Sequence, residues 1–328
     1  MKPAHAAILC GAIVALFLVE LSSGPSGVSL FAALGELWRG DTGVASVILW
    51  ELRLPRALLA LTCGACLGMS GAALHGLLRN PLASPDILGV SQLAALAAVL
   101  ALYYGLSARA WFVLPLCAVG GAAAAVALMF GLNRRRGDGA TLILSGIAIS
   151  ALAGSLISLA LNFAPNPYAL QEIYYWLLGS VANRSLDELG FALPFMACGV
   201  ALLWRQRRFL DALTLGDDTA RTLGFDVTNS SRWVILGAAC CVGAVVAVSG
   251  NIGFVGLVVP HVLRPLVRAR PSQVLLWSMA GGGALVLCAD ALVQTLPGAQ
   301  ELQLGVLTSA LGGPFFLYLL FTKRDWFR

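Results

Sequence analysis

Few residues of this chain could do chemistry, and most of those few stand alone in apolar surroundings. Glu20, His75, His261 and Asp290 each sit in or at the end of an apolar run. Buried carboxylates and imidazoles of this kind can build a proton relay or an ion-coupling site. These four are scattered, and their spacing forms no relay. His75 could touch a substrate or a metal, or it could hydrogen-bond between two helices. Cys63-x-x-Cys66 puts two thiols on one helical face, which permits a metal or redox pair; small packing residues fit the same positions and are commoner there. No H-E-x-x-H spacing or nucleophile–base pattern appears, so hydrolysis has nothing to build on. Only two lysines occur, Lys2 and Lys323, and neither stands in G-x-x-x-x-G-K-[ST]. Without that phosphate cradle the chain is not a P-loop ATPase. No metal site and no cofactor of its own are expected.

The remaining polar features frame one long apolar stretch. Arg53-Leu54-Pro55-Arg56 precedes the run Ala57–Leu78, and Arg79-Asn80-Pro81-Leu82 follows it. Pro55 suits the first turn of a helix, where its missing N–H costs nothing. From Pro55 to Leu78 such a helix is roughly 36 Å long at about 1.5 Å per residue. A hydrocarbon core of roughly 30 Å is crossed with tilt to spare. Gly64, Gly68, Ala72 and Gly76 recur every four residues along it, a stripe on which a second helix can pack closely. Pro81 and Pro85 forbid an unbroken continuation, which leaves Asn80 and Leu82 on non-helical backbone. Non-helical backbone at membrane depth is tolerated only against protein or a water-filled path.

Composition sets the class. The chain of 328 residues is 59% hydrophobic and 11% charged, against about 25% charged in soluble domains. It reads as an all-α, polytopic membrane protein, one domain over 1–328. The net charge of +5 fits arginines on one side of a bilayer and is no sign of nucleic acid. All eight cysteines lie in apolar runs, which argues against a disulfide framework. Residues 1–23 have some signal-peptide character but lack an A-x-A site, and are taken as the first span.

Apolar runs fall at about 6–22, 56–78, 87–106, 111–132, 141–162, 190–204, 232–249, 254–267, 274–296 and 303–322, which predicts about ten spans. An even number puts both termini on one side. With that side inside, sixteen Lys and Arg lie inside and five outside, so both termini are expected in the cytoplasm. The loop 162–187, with Tyr174, Tyr175 and Trp176, reads as a short helix at the outer interface. The longest polar segment, 205–232, reads as a cytoplasmic coupling loop. In it Thr214 is expected to cap a short helix with Asp217 and Asp218 in its first turn and Gly224 as its stop. Leu215, Ala220 and Leu223 would form an apolar edge suited to docking another protein. Gly146, Ser150, Gly154 and Ser158 form one stripe of small residues, and Gly305, Ser309 and Gly313 another. Either stripe can pack a helix or line a wide path.

R-L-P-R, S-G-A, R-N-P-L-A and L-G-V-S, then L-G-D-D-T-A-R-T-L-G, G-N-I-G-F-V-G-L-V-V-P-H, A-D and G-V-L-T-S-A-L-G-G-P-F-F occur in that order. Over about residues 45 to 322 the chain thereby resembles the iron-chelate and cobalamin permeases of bacterial ATP-binding-cassette importers. The resemblance implies a homodimer of ten-helix subunits in the inner membrane, with the path on the twofold axis. Two ATPase subunits, which alone bind ATP and Mg, would sit below, and a periplasmic substrate-binding protein would dock above. Arg53 and Arg56 match arginines that pair with glutamates of that binding protein. Asn80 and Leu82 match a cytoplasmic gate, and Ala140 and Thr141 fall near a second gate with poorer matching. Leu215, Gly216, Asp217, Asp218, Ala220, Arg221, Leu223 and Gly224 match the segment that sits in a groove of the ATPase. Glutamine at 294 weakens a third docking pair found in some relatives, and His75 stands where relatives commonly carry glutamine.

The expected function is that of a permease subunit moving a metal chelate, a ferric siderophore first. Haem, cobalamin or molybdate are alternatives within the family. An ion-coupled secondary transporter is the alternative of another class, disfavoured by the shortage of buried acids.

Overall fold

The structure, a computed structural model, describes residues 3–24, 26–41, 43–132, 139–296 and 302–322. Helices and turns account for the secondary structure, with no strand among the described residues. Helix α1 (Pro3–Ser22) leads to a short helix α2 (Leu30–Arg39). Then α3 (Val44–Val47), a π-helical turn (Ile48–Arg53) and α4 (Leu54–Leu77) run on as one helix. Pro55 therefore does not start a helix, as the sequence predicts, but interrupts one. A proline ring crowds the carbonyl four residues back. The wider π turn relieves this, and the Leu54 N–H reaches back to the Leu49 carbonyl.

After a broken stretch come α5 (Val90–Tyr103), α6 (Val113–Leu132), α7 (Gly139–Asn162), α8 (Pro167–Leu177) and α9 (Leu186–Arg205). The run expected at 190–204 is longer at its N-terminus because Ser185 and Glu188 close a capping box there; polar residues in that first turn hide it from a hydropathy reading. Next are α10 (Arg207–Leu213), α11 (Asp217–Thr222), α12 (Val227–Ser249), α13 (Val255–Leu263), α14 (Pro271–Thr295) and α15 (Leu304–Thr322).

Among the described residues seven helices are long and apolar enough to cross a membrane, and two shorter apolar helices, Val90–Tyr103 and Leu304–Tyr318, accompany them. The run expected at 254–267 forms the 9-residue α13 and a 3-10 turn, about 14 Å of helix and too short to cross alone.

Helix α4 is the axis of the bundle, packed most extensively on α14 and also on α12 and α13. Its small-residue stripe explains this. A Cβ on Gly64 would overlap the Gly282 carbonyl, and one on Gly68 would overlap the Ser278 carbonyl. The two backbones meet directly, as small residues permit where lipid gives no hydrophobic drive for association. Cys63, Cys66 and Cys241 are fully or nearly buried in this core. Helix α1 stands at the other extreme: 6% of its apolar window is buried, against 78% of that in Val44–Leu77.

Candidate functional site

Helix α4 ends at Leu77, and the chain then folds into a tight series of turns. Arg79 takes a left-handed conformation, φ 48°, uncommon for a residue with a Cβ. The Leu82 N–H donates to Asn80 Oδ1 at 2.9 Å, and the Ala83 N–H to the Asn80 carbonyl at 3.1 Å. Asn80 thus shapes its own turn, as short amide side chains do. Asp86 fixes the next segment. It accepts from Ser84 Oγ at 2.9 Å and from Ser91 Oγ at 2.8 Å, while its carbonyl accepts from Ser150 Oγ of α7 at 3.2 Å. Gly146 lies under the same segment, where a Cβ would overlap the Ile87 carbonyl. The upper half of that stripe is different: Gly154 has open space beside it, and exposed Ser158 donates only to the Gly154 carbonyl, at 3.0 Å. Gly146 and Ser150 pack; Gly154 and Ser158 face outward.

Leu82 and Asp86 open onto a cavity of about 710 Å³, which is also lined by Asn251, Phe254, Gly305 and Ser309. So the second stripe faces the predicted gate residue across one space. Its wall is made where three backbones converge. The Gly305 N–H donates to the Gly179 carbonyl at 3.1 Å, and the Ser180 N–H to the Ser249 carbonyl at 2.7 Å. Gly179 and Gly250 adopt φ 74° and 67°, and a Cβ on either would strike backbone, Asn251 or Trp176 respectively. Phe254 keeps φ 65° at the start of α13, with Gly312 of α15 leaving room for its ring. The sequence gives no warning of a phenylalanine in that conformation.

The segment expected to couple lies beside the turn expected to gate. Arg79 pairs with Asp217 of α11, and Asp217 and Arg221 share a small cavity with Leu142 of α7. Thr141 is half-buried next to Leu142, and its carbonyl accepts from Ser145 Oγ at 2.6 Å. Ala140 belongs to α7, but its side chain lies outside the described residues. The expected cap of α11 is not formed: Thr214 Oγ1 donates to the Asp211 carbonyl at 2.7 Å, finishing α10 instead, and Gly216, at φ 104°, precedes α11. Gly224 does stop the segment at φ 89°. The expected apolar edge splits. Ala220 is fully buried, while Leu215 and Leu223 are 65% and 58% exposed. Asp218 is exposed, with Arg221 at 3.4 Å.

At the opposite end of α4 both arginines are occupied within the chain. Arg53 donates to the Leu21 carbonyl at 3.0 Å and to Ser26 Oγ at 3.1 Å. Arg56 makes a bidentate pair with Asp290, at 2.6 and 3.0 Å, and lies 3.7 Å from Glu20. Gln294 donates to both carboxylates. Glu20 of α1 and Asp290 of α14 thus supply countercharge to Arg56 within the chain. By spacing alone Glu20 and Asp290 read as scattered acids. The signal that joins them is an arginine, Arg56, facing the same apolar interior.

His75 is buried beside the Ala83 backbone, and neither ring nitrogen makes a hydrogen bond of normal geometry. The expected interhelical hydrogen bond is not present.

Three comparisons bear on this arrangement. The sequence profile described as the FecCD transport family matches residues 12–322. The chain is 38% identical over 320 residues to the hemin transport system permease protein HmuU of Yersinia pestis, covering 95% of each chain. It is 38% identical to the vitamin B12 import system permease protein BtuC of Vibrio cholerae, covering 90% of each. Identity to the Fe(3+) dicitrate transport system permease protein FecD of Escherichia coli is 36%, covering 99% of this chain and 100% of that one. A solved structure described as an inward-facing metal-chelate type ABC transporter superposes with a TM-score of 0.85 at 30% identity. That match covers 96% of this chain and 99% of the other.

Proposed function

The chain belongs to the FecCD transport family, and from that premise we propose that it forms the path of an importer for an iron chelate. It is a membrane-spanning permease subunit of an ATP-binding-cassette importer. The observation that carries the mechanism is the continuity from coupling segment to cavity. Leu215 and Leu223 present an exposed apolar pair on the segment. Asp217 of that segment holds Arg79, and Arg79 begins the turn that places Leu82 at the cavity.

In this reading two copies of the chain face each other across that cavity, and two ATPase subunits bind at Leu215 and Leu223. ATP and Mg belong to those subunits alone. Their movement pulls on Asp217 and shifts the Asn80–Leu82 turn. Both termini lie in the cytoplasm of a bacterium, and a binding protein delivers cargo at the other face. Docking through Arg53 or Arg56 would require those guanidiniums to leave partners they already hold. A ferric siderophore and haem are the leading cargoes, the second favoured by the similarity to the hemin permease.

Uptake of labelled ferric siderophores, haem and cobalamin by a deletion strain, with and without the gene, tests the cargo. Loss of uptake for none of the three overturns the chelate reading. In purified form the chain alone should not hydrolyse ATP, and hydrolysis by the assembled complex should disappear with Leu223→Asp while the permease itself stays folded. An unaltered complex from that variant would remove the apolar pair as the ATPase seat.

A further inference from the structure

Helix α2 is anchored on one side only. Ala33 is fully buried against Ala45 and Leu49, with Leu21, Val28 and Leu30 around them. Both ends are fixed: Ser29 Oγ accepts from the Ala32 N–H at 3.1 Å, and Gly40 closes the helix at φ 74°. Its one carboxylate, Glu36, turns inward and accepts from the Ser46 N–H at 2.8 Å. The opposite side carries Phe31, Leu34 and Trp38, three apolar residues at the i, i+3, i+7 spacing of one helix face. They are 86%, 49% and 92% exposed. No charge interrupts that face; Arg39 and Asp41 sit at its end, both well exposed. A rigid plate with bare aromatic residues needs a cover.

The height of α2 identifies the cover. It rests on Ala45 and Leu49, near the start of a helix that runs 34 residues from Val44 to Leu77. At about 1.5 Å per residue that helix is about 51 Å long. A bilayer measures about 30 Å through its hydrocarbon and about 40–45 Å with its headgroups. A tilt of about 30–40° fits the helix to the full thickness, which sets Ala45 and Leu49 at headgroup level. Helix α1, on whose end α2 rests through Leu21, is itself almost bare and shows Ile8, Val14 and Leu18 outward. The exposed side of α2 thus continues a lipid-facing surface. Phenylalanine and tryptophan beside an arginine are the residues that settle at the boundary of headgroups and acyl chains.

We infer that α2 lies in the plane of the membrane interface, at the end of the bundle opposite the coupling segment, with Phe31, Leu34 and Trp38 inserted among the lipids. Its occupant is the bilayer, not a second protein. The placement holds the start of the α3–α4 helix at a fixed depth.

Tryptophan quenching reads this directly. The assembled transporter is placed in bilayers whose phospholipids carry bromine either near the headgroup or near the chain end. Subtracting the emission of Trp38→Phe isolates Trp38 from the other tryptophans. The expected result is loss of most Trp38 emission with shallow bromines, a smaller loss with deep ones, and no change when a binding protein is added. Trp38 emission that ignores bromine, or that responds only to the binding protein, overturns the inference. A benzoyl-phenylalanine in place of Phe31 gives a second measurement. Phospholipid adducts after illumination support the inference; adducts to another polypeptide overturn it.

Discussion

At the start of α4, Arg56 is held by groups from two other helices; at its end, Arg79 touches one carboxylate. The first guanidinium is 13% exposed, and its partners Asp290 and Glu20 are 1% and 0% exposed. The second pair is about half exposed on each side, 47% and 51%. Both are arginine–carboxylate contacts, yet water decides what each can do. In the buried cluster any separation leaves charge in a low-dielectric interior, so the groups stay together. At the other end water can replace either partner at little cost, and Arg79 already occupies a sparsely populated backbone region. One end of the axial helix is fastened by buried charge, and the other is held by a contact that water can replace.

Breaking the fastened end has the largest expected effect. Arg56→Ala leaves two carboxylates facing each other and should destabilise the permease by about 3–5 kcal/mol. The check is thermal unfolding of the purified protein, together with its yield in the membrane. Asp290→Asn, which keeps a polar group beside Arg56, should cost less. Replacing Glu20, Arg56 and Asp290 together by Leu, Met and Leu should recover most of the loss, since a buried charge cluster often exchanges for apolar residues without penalty. An Arg56→Ala protein as stable as the parent would mean that the cluster is hydrated and that the two ends do not differ.

This contrast was only partly legible in the sequence. The scarcity of charge marked the class, and the four-residue glycine period marked the face of α4 that α14 fills. Both rest on local or periodic features, which a sequence displays. The pairing of residues 20, 56 and 290 crosses more than two hundred positions and has no period. The split of the Gly146–Ser158 stripe also escaped, because spacing records only which residues share a face, not where that face runs out of neighbours. Thr214 finishes α10 and does not start α11 for a related reason: a threonine between two short helices can do either, and spacing does not distinguish them. The resemblance implies gate and coupling roles for two separate blocks, but the contact between them through Arg79 and Asp217 is a matter of tertiary placement.

The inner end can be sharpened with that stripe. Gly146→Ala drives a methyl into the Ile87 carbonyl, and overpacking of this kind costs about 1–3 kcal/mol. It should also displace the Asp86–Gly89 segment and slow uptake. Gly154→Ala enters open space and should stay within about 0.5 kcal/mol of the parent. Thermal unfolding separates the two. Uptake then adds information that stability cannot. If Gly154→Ala unfolds normally but transports poorly, the outward half of the stripe meets something in the assembled importer that this chain alone does not contain. If both variants are equally destabilised, the two halves of the stripe are alike and the Asp86–Gly89 segment is not specially seated.

A small effect on stability, and the most informative on mechanism, is expected at Arg79 and Asp217. Asp217→Ala removes an exposed contact and should change unfolding by about 0.2–1 kcal/mol. If the pair transmits movement from the coupling segment, uptake should nevertheless fall several-fold while ATP hydrolysis by the complex continues. Exchanging the charges, Arg79→Asp with Asp217→Arg, should return part of that uptake, although aspartate is shorter than arginine and the left-handed turn at position 79 is kept. Each single reversal should be worse than the double. Because the pair is exposed, raising the salt concentration from low to high should weaken transport by the parent and leave the Asp217→Ala variant less affected. Loss of hydrolysis with Asp217→Ala would instead place this carboxylate in the ATPase contact itself. Unchanged uptake in all four variants would show that Arg79 and Asp217 merely meet at the surface, and the switching end of α4 would have to be sought in the Asn80 turn alone.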